Sequence, residues 1–249
     1  HLEYYTGELW VDVIVNNNEL GDQNNSNSTG GTGTRGLFAG GNTPSLKNEI
    51  EYISISTLGN SQDFGNLVSA RTGNAGCASA VRGIFANGVT PSRTTDIDFV
   101  TISSTGNASD FGNATVTAGY RGALSNSTRG VIGGGETPTA SDVMDYITIA
   151  STGNAVDFGN LVGGRESPGG AASSVRGIFA GGNDSRVNTI NFVTIASQGN
   201  ASDFGDMTKT AGGMGGSSNQ TRGIIVHGFG GDPSSDFTNT VDYVTIAST

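Results

Sequence analysis

Apolar residues fall along this chain in short runs of about five, separated by Gly, Asn, Ser and Thr. No stretch holds the 3.6-residue apolar period of a helix over an adequate length. Several runs are apolar on both sides: in Met144 to Ile149, Met144 and Tyr146 point one way, Ile147 and Ile149 the other. A strand of that kind is expected to be covered on both faces.

The runs recur. Arg-Gly followed by an apolar strand begins at Arg35, Arg82, Arg129, Arg176 and Arg222, with spacings of 47, 47, 47 and 46. Asp-Phe-Gly recurs in step at Asp63, Asp110, Asp157 and Asp203. Between them lies a strand such as Ile97-Asp98-Phe99-Val100 or Val241-Asp242-Tyr243-Val244. A Thr-Gly-Asn turn and a small-residue stretch such as Gly76 to Ala80, expected as each unit's fourth strand, complete the repeat. Four strands of about five residues and their turns fill about 47 residues. A repeated four-stranded unit of that length predicts an all-β, five-bladed β-propeller, with repeats over 35–249 starting near 35, 82, 129, 176 and 222.

The fifth unit stops at Thr249, before an Asp-Phe-Gly strand of its own. Trp10 to Val15 followed by Glu19-Leu20-Gly21-Asp22 is a degenerate copy of the missing pattern. Residues 1–34, a strand segment and an Asn/Ser/Gly-rich joint, are therefore expected to complete the last blade and close the ring, which removes open sheet edges.

Composition fits this picture. Gly is 41 of 249 residues, more than twice the usual ~7%, and much of it occupies fixed repeat positions. Five prolines exclude collagen, and two lysines are too few for a helical bundle. A net charge of −10 argues against nucleic acid or an anionic membrane as partner, and no apolar run reaches the ~20 residues of a spanning helix. The segment His1 to Tyr5 has no signal-peptide character. It also lacks an initiator Met, so the chain is expected to be a processed product or a piece of a longer one. The single Cys77 forms no internal disulfide.

The order Gly40-Gly41, Tyr52, Phe64, Arg71 resembles a kelch-type propeller blade. The Asp-Phe-Gly-Asn and Tyr-Val-Thr-Ile-Ala wording resembles tandem repeats in structural proteins of tailed bacteriophages, especially marine ones, over residues 35–249. Glu3 to Val13 is similar to a Tyr-Thr-Gly…Trp-Val-Asp element of phage tail and fibre proteins. The eroded fifth unit and this N-terminal element depart from a kelch repeat. The resemblance implies a virion surface module, found on the virion or extracellularly, with other virion proteins as partners.

The five repeated arginines and the aspartates Asp63, Asp110, Asp157 and Asp203 are expected to form charge-assisted hydrogen bonds that pin blade to blade; a ring of ligand-binding groups is the other reading. The glycines that follow them suit positive φ or close strand approach. Ser61 to Gly65 opens like a sialidase Asp-box, but the other repeats lack the serine and no tryptophan follows. No arginine triad with a Tyr/Glu pair accompanies it. The candidate ligand site is His227, where other repeats have Gly40, Asn87, Gly134 and Gly181, together with Phe229, Asp232 and Asp236 in the most divergent loop. Two histidines and one cysteine do not make a usual zinc or copper site, and EF-hand spacing is absent. No metal, cofactor or catalytic activity is expected. The expected function is host-surface recognition by a tail or fibre module, binding glycan or surface protein through loops 42–49, 89–96, 136–142, 183–189 and 229–240. The alternatives are a purely architectural virion component and a free secreted lectin.

Overall fold

The computed structural model describes residues 3–5, 10–12, 35–183, 186–229 and 238–247. They form a five-bladed β-propeller, with no helix among the described residues. Blade one comprises Arg35–Asn42, Leu46–Ser54 and Gln62–Asn66. Blade two comprises Ala75–Ala78, Arg82–Ala86, Ser92–Thr101 and Ser109–Ala118, with Val89–Thr90 added at one end. Blade three is Gly122–Ser125, Arg129–Gly133, Val143–Thr148 and Val156–Asn160. Blade four is Gly169–Ala172, Arg176–Ala180, Thr189–Thr194 and Ser202–Asp206, and blade five is Gly215–Ser218, Arg222–Val226 and Val241–Thr245. In this order they are the inner, Arg-Gly, middle and outer strands, each antiparallel to the next. Blades one and five show three strands among the described residues; blade one begins with its Arg-Gly strand.

The placement of the small-residue stretch differs from the expectation. The small-residue stretch pairs with the Arg-Gly strand that follows it, as in Cys77↔Ile84, and so opens the next blade as its inner strand. It is small because inner strands of neighbouring blades nearly touch. A Cβ on Gly170 would collide with the carbonyl oxygen of Ala123, and one on Gly216 with that of Gly170. Trp10–Asp12 pairs with Glu3–Tyr5, while residues 13–34, on which the expected closure of the ring also depends, lie outside the described residues.

The hydrophobic core lies between blades. Ile84, Ala86 and Ile97 on one face of blade two pack with Ile132, Ile147 and Ile149 of blade three. Equivalent clusters fill the joints between blades one and two, three and four, and four and five. Each fully buried aliphatic or aromatic side chain contributes about 1.5–3 kcal/mol, so a joint is worth roughly 10 kcal/mol before chain entropy is counted.

Polar bonds set the register of each joint. The Nη1 of Arg35, Arg82, Arg129 and Arg176 donates to the carbonyl of Ile102, Ile149, Ile195 and Ile246 in the next blade, at 2.7, 3.0, 2.9 and 3.0 Å. Each guanidinium also lies over its own blade's middle-strand ring, 4.3 Å away for Arg129 on Tyr146, and that ring meets Phe158 of the outer strand edge-on. The expected Arg–Asp pairing is not what forms. Asp63, Asp110, Asp157 and Asp203 are exposed, and the carboxylates of Asp110 and Asp203 accept the N–H of Gly112 and Gly205 in their own bulged strand. The guanidinium is already matched by ring and carbonyl, and the bulge turns the aspartate towards water. At the outer edge the Thr-Gly-Asn turn docks on the preceding blade. Gly106, Gly153 and the equivalent Gly199 donate to the carbonyls of Phe64, Phe111 and Phe158, each at 2.7 Å.

Two outcomes test these joints. Arg129→Ala is expected to lower the unfolding free energy by about 3 kcal/mol, the sum of a charged hydrogen bond and a cation–π stack. Arg129→Lys restores less than half, because an ammonium cannot keep the planar stack. Urea unfolding measures both. Gly177→Ala places a methyl 2.7 Å from Leu124 Cδ2 of blade three and is expected to cost about 1–3 kcal/mol. Gly163→Ala, which meets nothing within 4 Å, changes stability little.

Candidate functional site

The variable loops and the connections from each outer strand to the next inner strand run along the same end of the propeller. Short bridges stitch them together: Thr72 to Val89, Gly119 to Glu136 and Gly212 to Phe229. Between blades three and four, Asn183 N–H donates to the Glu166 carbonyl at 2.7 Å. Arg93 and Glu136 form an ion pair between the loops of blades two and three. The exposed tips carry Asn42, Thr43, Pro44 and Ser45 in blade one, Pro91 and Ser92 in blade two, and Pro138 and Thr139 in blade three.

Beneath this surface stands a row of buried polar posts. Arg71 belongs by its backbone to blade one, where its N–H donates to Lys47 and its carbonyl accepts from Gly41. Its side chain enters blade two, 2.9 Å from Asp98 and 3.1 Å from the Phe85 carbonyl. Arg121 does the same in blade three, 2.5 Å from Asp145, with bonds to the carbonyls of Ile132, Gly134 and Val143 and to Asn87. The carboxylates bind the incoming chain too: Asp98 accepts the Val68 N–H at 3.0 Å, and Asp145 accepts the Thr115 hydroxyl. Burial lowers the pKa of Arg71, against the opposing pull of Asp98 and Asp96. Burial raises Asp98, which Arg71 draws back down. These are structural pairs with desolvation in command.

Blades four and five vary the theme. Asn191 stands where Asp98 and Asp145 stand, so Arg165 has no carboxylate there. It bonds instead to the carbonyls of Gly181 and Thr189 and to the Thr189 hydroxyl, and burial lowers its pKa. The Nδ2 of Asn191 is buried without a partner among the described residues. In blade five the arginine position is Ala211, fully buried. His227, just past the end of the blade's own Arg-Gly strand, takes over its role, with Nε2 3.0 Å from Asp242 Oδ2. Burial pushes the Asp242 pKa up, but the Thr208 N–H and hydroxyl and His227 outweigh it and hold the carboxylate below its usual range.

Of the four residues picked as a ligand site, His227 is thus buried inside a post. Phe229 bridges Gly212, its ring against Gly213; Asp232 and Asp236 lie outside the described residues. The posts themselves escaped the sequence reading, although Asp98, Asp145 and Asp242 recur inside the middle-strand marker and Arg71 and Arg165 each follow an Asp-Phe-Gly aspartate by eight residues. Among the described residues no three His, Cys, Asp or Glu side chains gather as a metal-binding group. No family model matches the sequence, and no curated protein matches it.

Asn191→Asp removes the orphaned Nδ2 and offers Arg165 a carboxylate. It is expected to raise the unfolding free energy by about 1–2 kcal/mol, read by thermal or urea unfolding. A lower stability would mean that the Thr189 contacts already satisfy Arg165 and that the added desolvation dominates.

Proposed function

We propose that the chain is a non-enzymatic recognition module of a virion appendage that binds a host-surface glycan or surface protein through its loop end. The observation that carries this reading is the division of labour between repeat and loop. The repeated arginines and aromatic rings of blades one to four and the buried arginines at the loop end are engaged in joints and posts, whereas the loops differ from blade to blade and end in hydroxyl, amide and proline groups. Such tips bind neutral polar partners through hydrogen bonds, and a stitched scaffold holds them in place. The virion setting, with other virion proteins as neighbours, rests on the resemblance of the Asp-Phe-Gly-Asn and Tyr-Val-Thr-Ile-Ala wording to tailed-phage repeats and of Glu3 to Val13 to a phage tail and fibre element. A purely architectural role is the second reading, favoured by exposed apolar residues on the first and last blades such as Phe38 and Tyr243.

A glycan array probed with the whole chain tests the proposal. Binding to a neutral glycan is expected, and Thr43→Ala with Ser45→Ala or Thr137→Ala with Thr139→Ala is expected to reduce it at least tenfold without changing the circular dichroism. Absence of binding on the array and to intact bacterial cells, with folded protein, would overturn recognition in favour of architecture.

A further inference from the structure

Among the described residues, the two terminal faces of the blade series are the two halves of one unmade joint. In the four made joints the face that looks to the next blade is covered. Val241 is 57% exposed, whereas its equivalents Ile50, Ile97, Met144 and Ile190 are 0–1% exposed. Ile224 is 42% exposed, against 0–1% for Ile84, Val131 and Ile178. Tyr243, at 65%, is the fifth middle-strand ring of the series. The face of blade one that looks backwards is equally bare. Phe38 is 58% exposed where Phe85, Ile132, Phe179 and Ile225 are 0–6%, and Ile55 is 58% exposed where Ile149, Ile195 and Ile246 are 0–1%. Arg222 keeps its stack, 4.5 Å over Tyr243, but among the described residues it has no carbonyl across a joint. By register its counterpart is the carbonyl of Ile55, as Ile102, Ile149, Ile195 and Ile246 serve the other four arginines.

We propose that the outgoing face of blade five takes the incoming face of blade one from a second copy of this chain, so that copies associate head to tail. The occupant follows from continuity with the joint already made four times: an apolar pair of faces, an arginine stack on one side and an isoleucine carbonyl at the matching register on the other. The interface is heterologous, so each copy keeps one face for a further neighbour. Two copies each carry a net charge of −10, so added salt, which screens their repulsion, strengthens the association.

Analytical ultracentrifugation of the whole chain tests this. The average mass is expected to rise with protein concentration and with salt. Ile224→Asp with Tyr243→Asp disables one face, and Phe38→Asp with Ile55→Asp the other. Each variant alone is expected to be a monomer with unchanged circular dichroism, since these side chains are exposed. Mixed in equal amounts, the two variants are expected to form a heterodimer and nothing larger, because one intact face of each kind remains. A wild-type chain that stays monomeric at every concentration and salt overturns the proposal. Association that survives either double variant overturns it as well.

Discussion

A blade of this repeat has an apolar face on each side and can bury neither by itself. Middle strands such as Met144 to Ile149 place Met144 on the forward face and Ile147 on the backward one. A lone blade would leave both in water, so the repeat is stable only as part of a series. The core is accordingly divided into joints. Close approach of flat sheets explains the glycine content. The glycine after the repeated arginine of blades two to five makes room for a side chain of the blade before, as Gly177 does for Leu124, and the inner strands approach so closely that little beyond Gly, Ala and Ser fits where they meet.

Apolar contact alone would let blades slide, and the polar elements fix the register. The arginine reads one carbonyl of the next blade while its own aromatic ring holds it flat. The Thr-Gly-Asn turn reads two carbonyls at the outer edge, as Gly153 and Ala155 do for Phe111 and Asn113. At the loop end the posts tie each crossing connection to the blade it enters. Their number of charged bonds varies, from the full set around Arg121 to the carboxylate-free Arg165, so the joints share a geometry without sharing a strength.

The repeat length, the order of the Arg-Gly, middle and outer strands and the five blades were legible because Arg-Gly, Asp-Phe-Gly and the Tyr/Phe strand recur in fixed step. The glycines could be located but not explained, since the close approach they permit is between strands far apart in sequence. The posts were hidden because their members move. Arg121 sits three residues beyond the position used by Arg71 and Arg165, Asn191 replaces an aspartate, and His227 substitutes for an arginine lost at Ala211, sixteen residues earlier. Read alone, His227 breaks the symmetry and invites a ligand; read with Ala211 and Asp242, it restores a side-chain hydrogen bond at the post position. The fourth strand was assigned to the preceding unit because sequence order does not say which neighbour a strand pairs with.

The central claim is that stability resides in the joints and not within single blades. Native-state hydrogen exchange of the joint amides tests it most directly. Gly153 and Ala155 join blades two and three, and Gly199 and Ala201 are the equivalent amides one blade on; all four are bonded to carbonyls of the neighbouring outer strand at 2.7–2.8 Å. The account predicts that these amides exchange only through openings that cost nearly the full unfolding free energy, as slowly as the amides of the Arg-Gly strands. Exchange of the joint amides at the rate of the loop tips, while the strands within a blade stay protected, would contradict it.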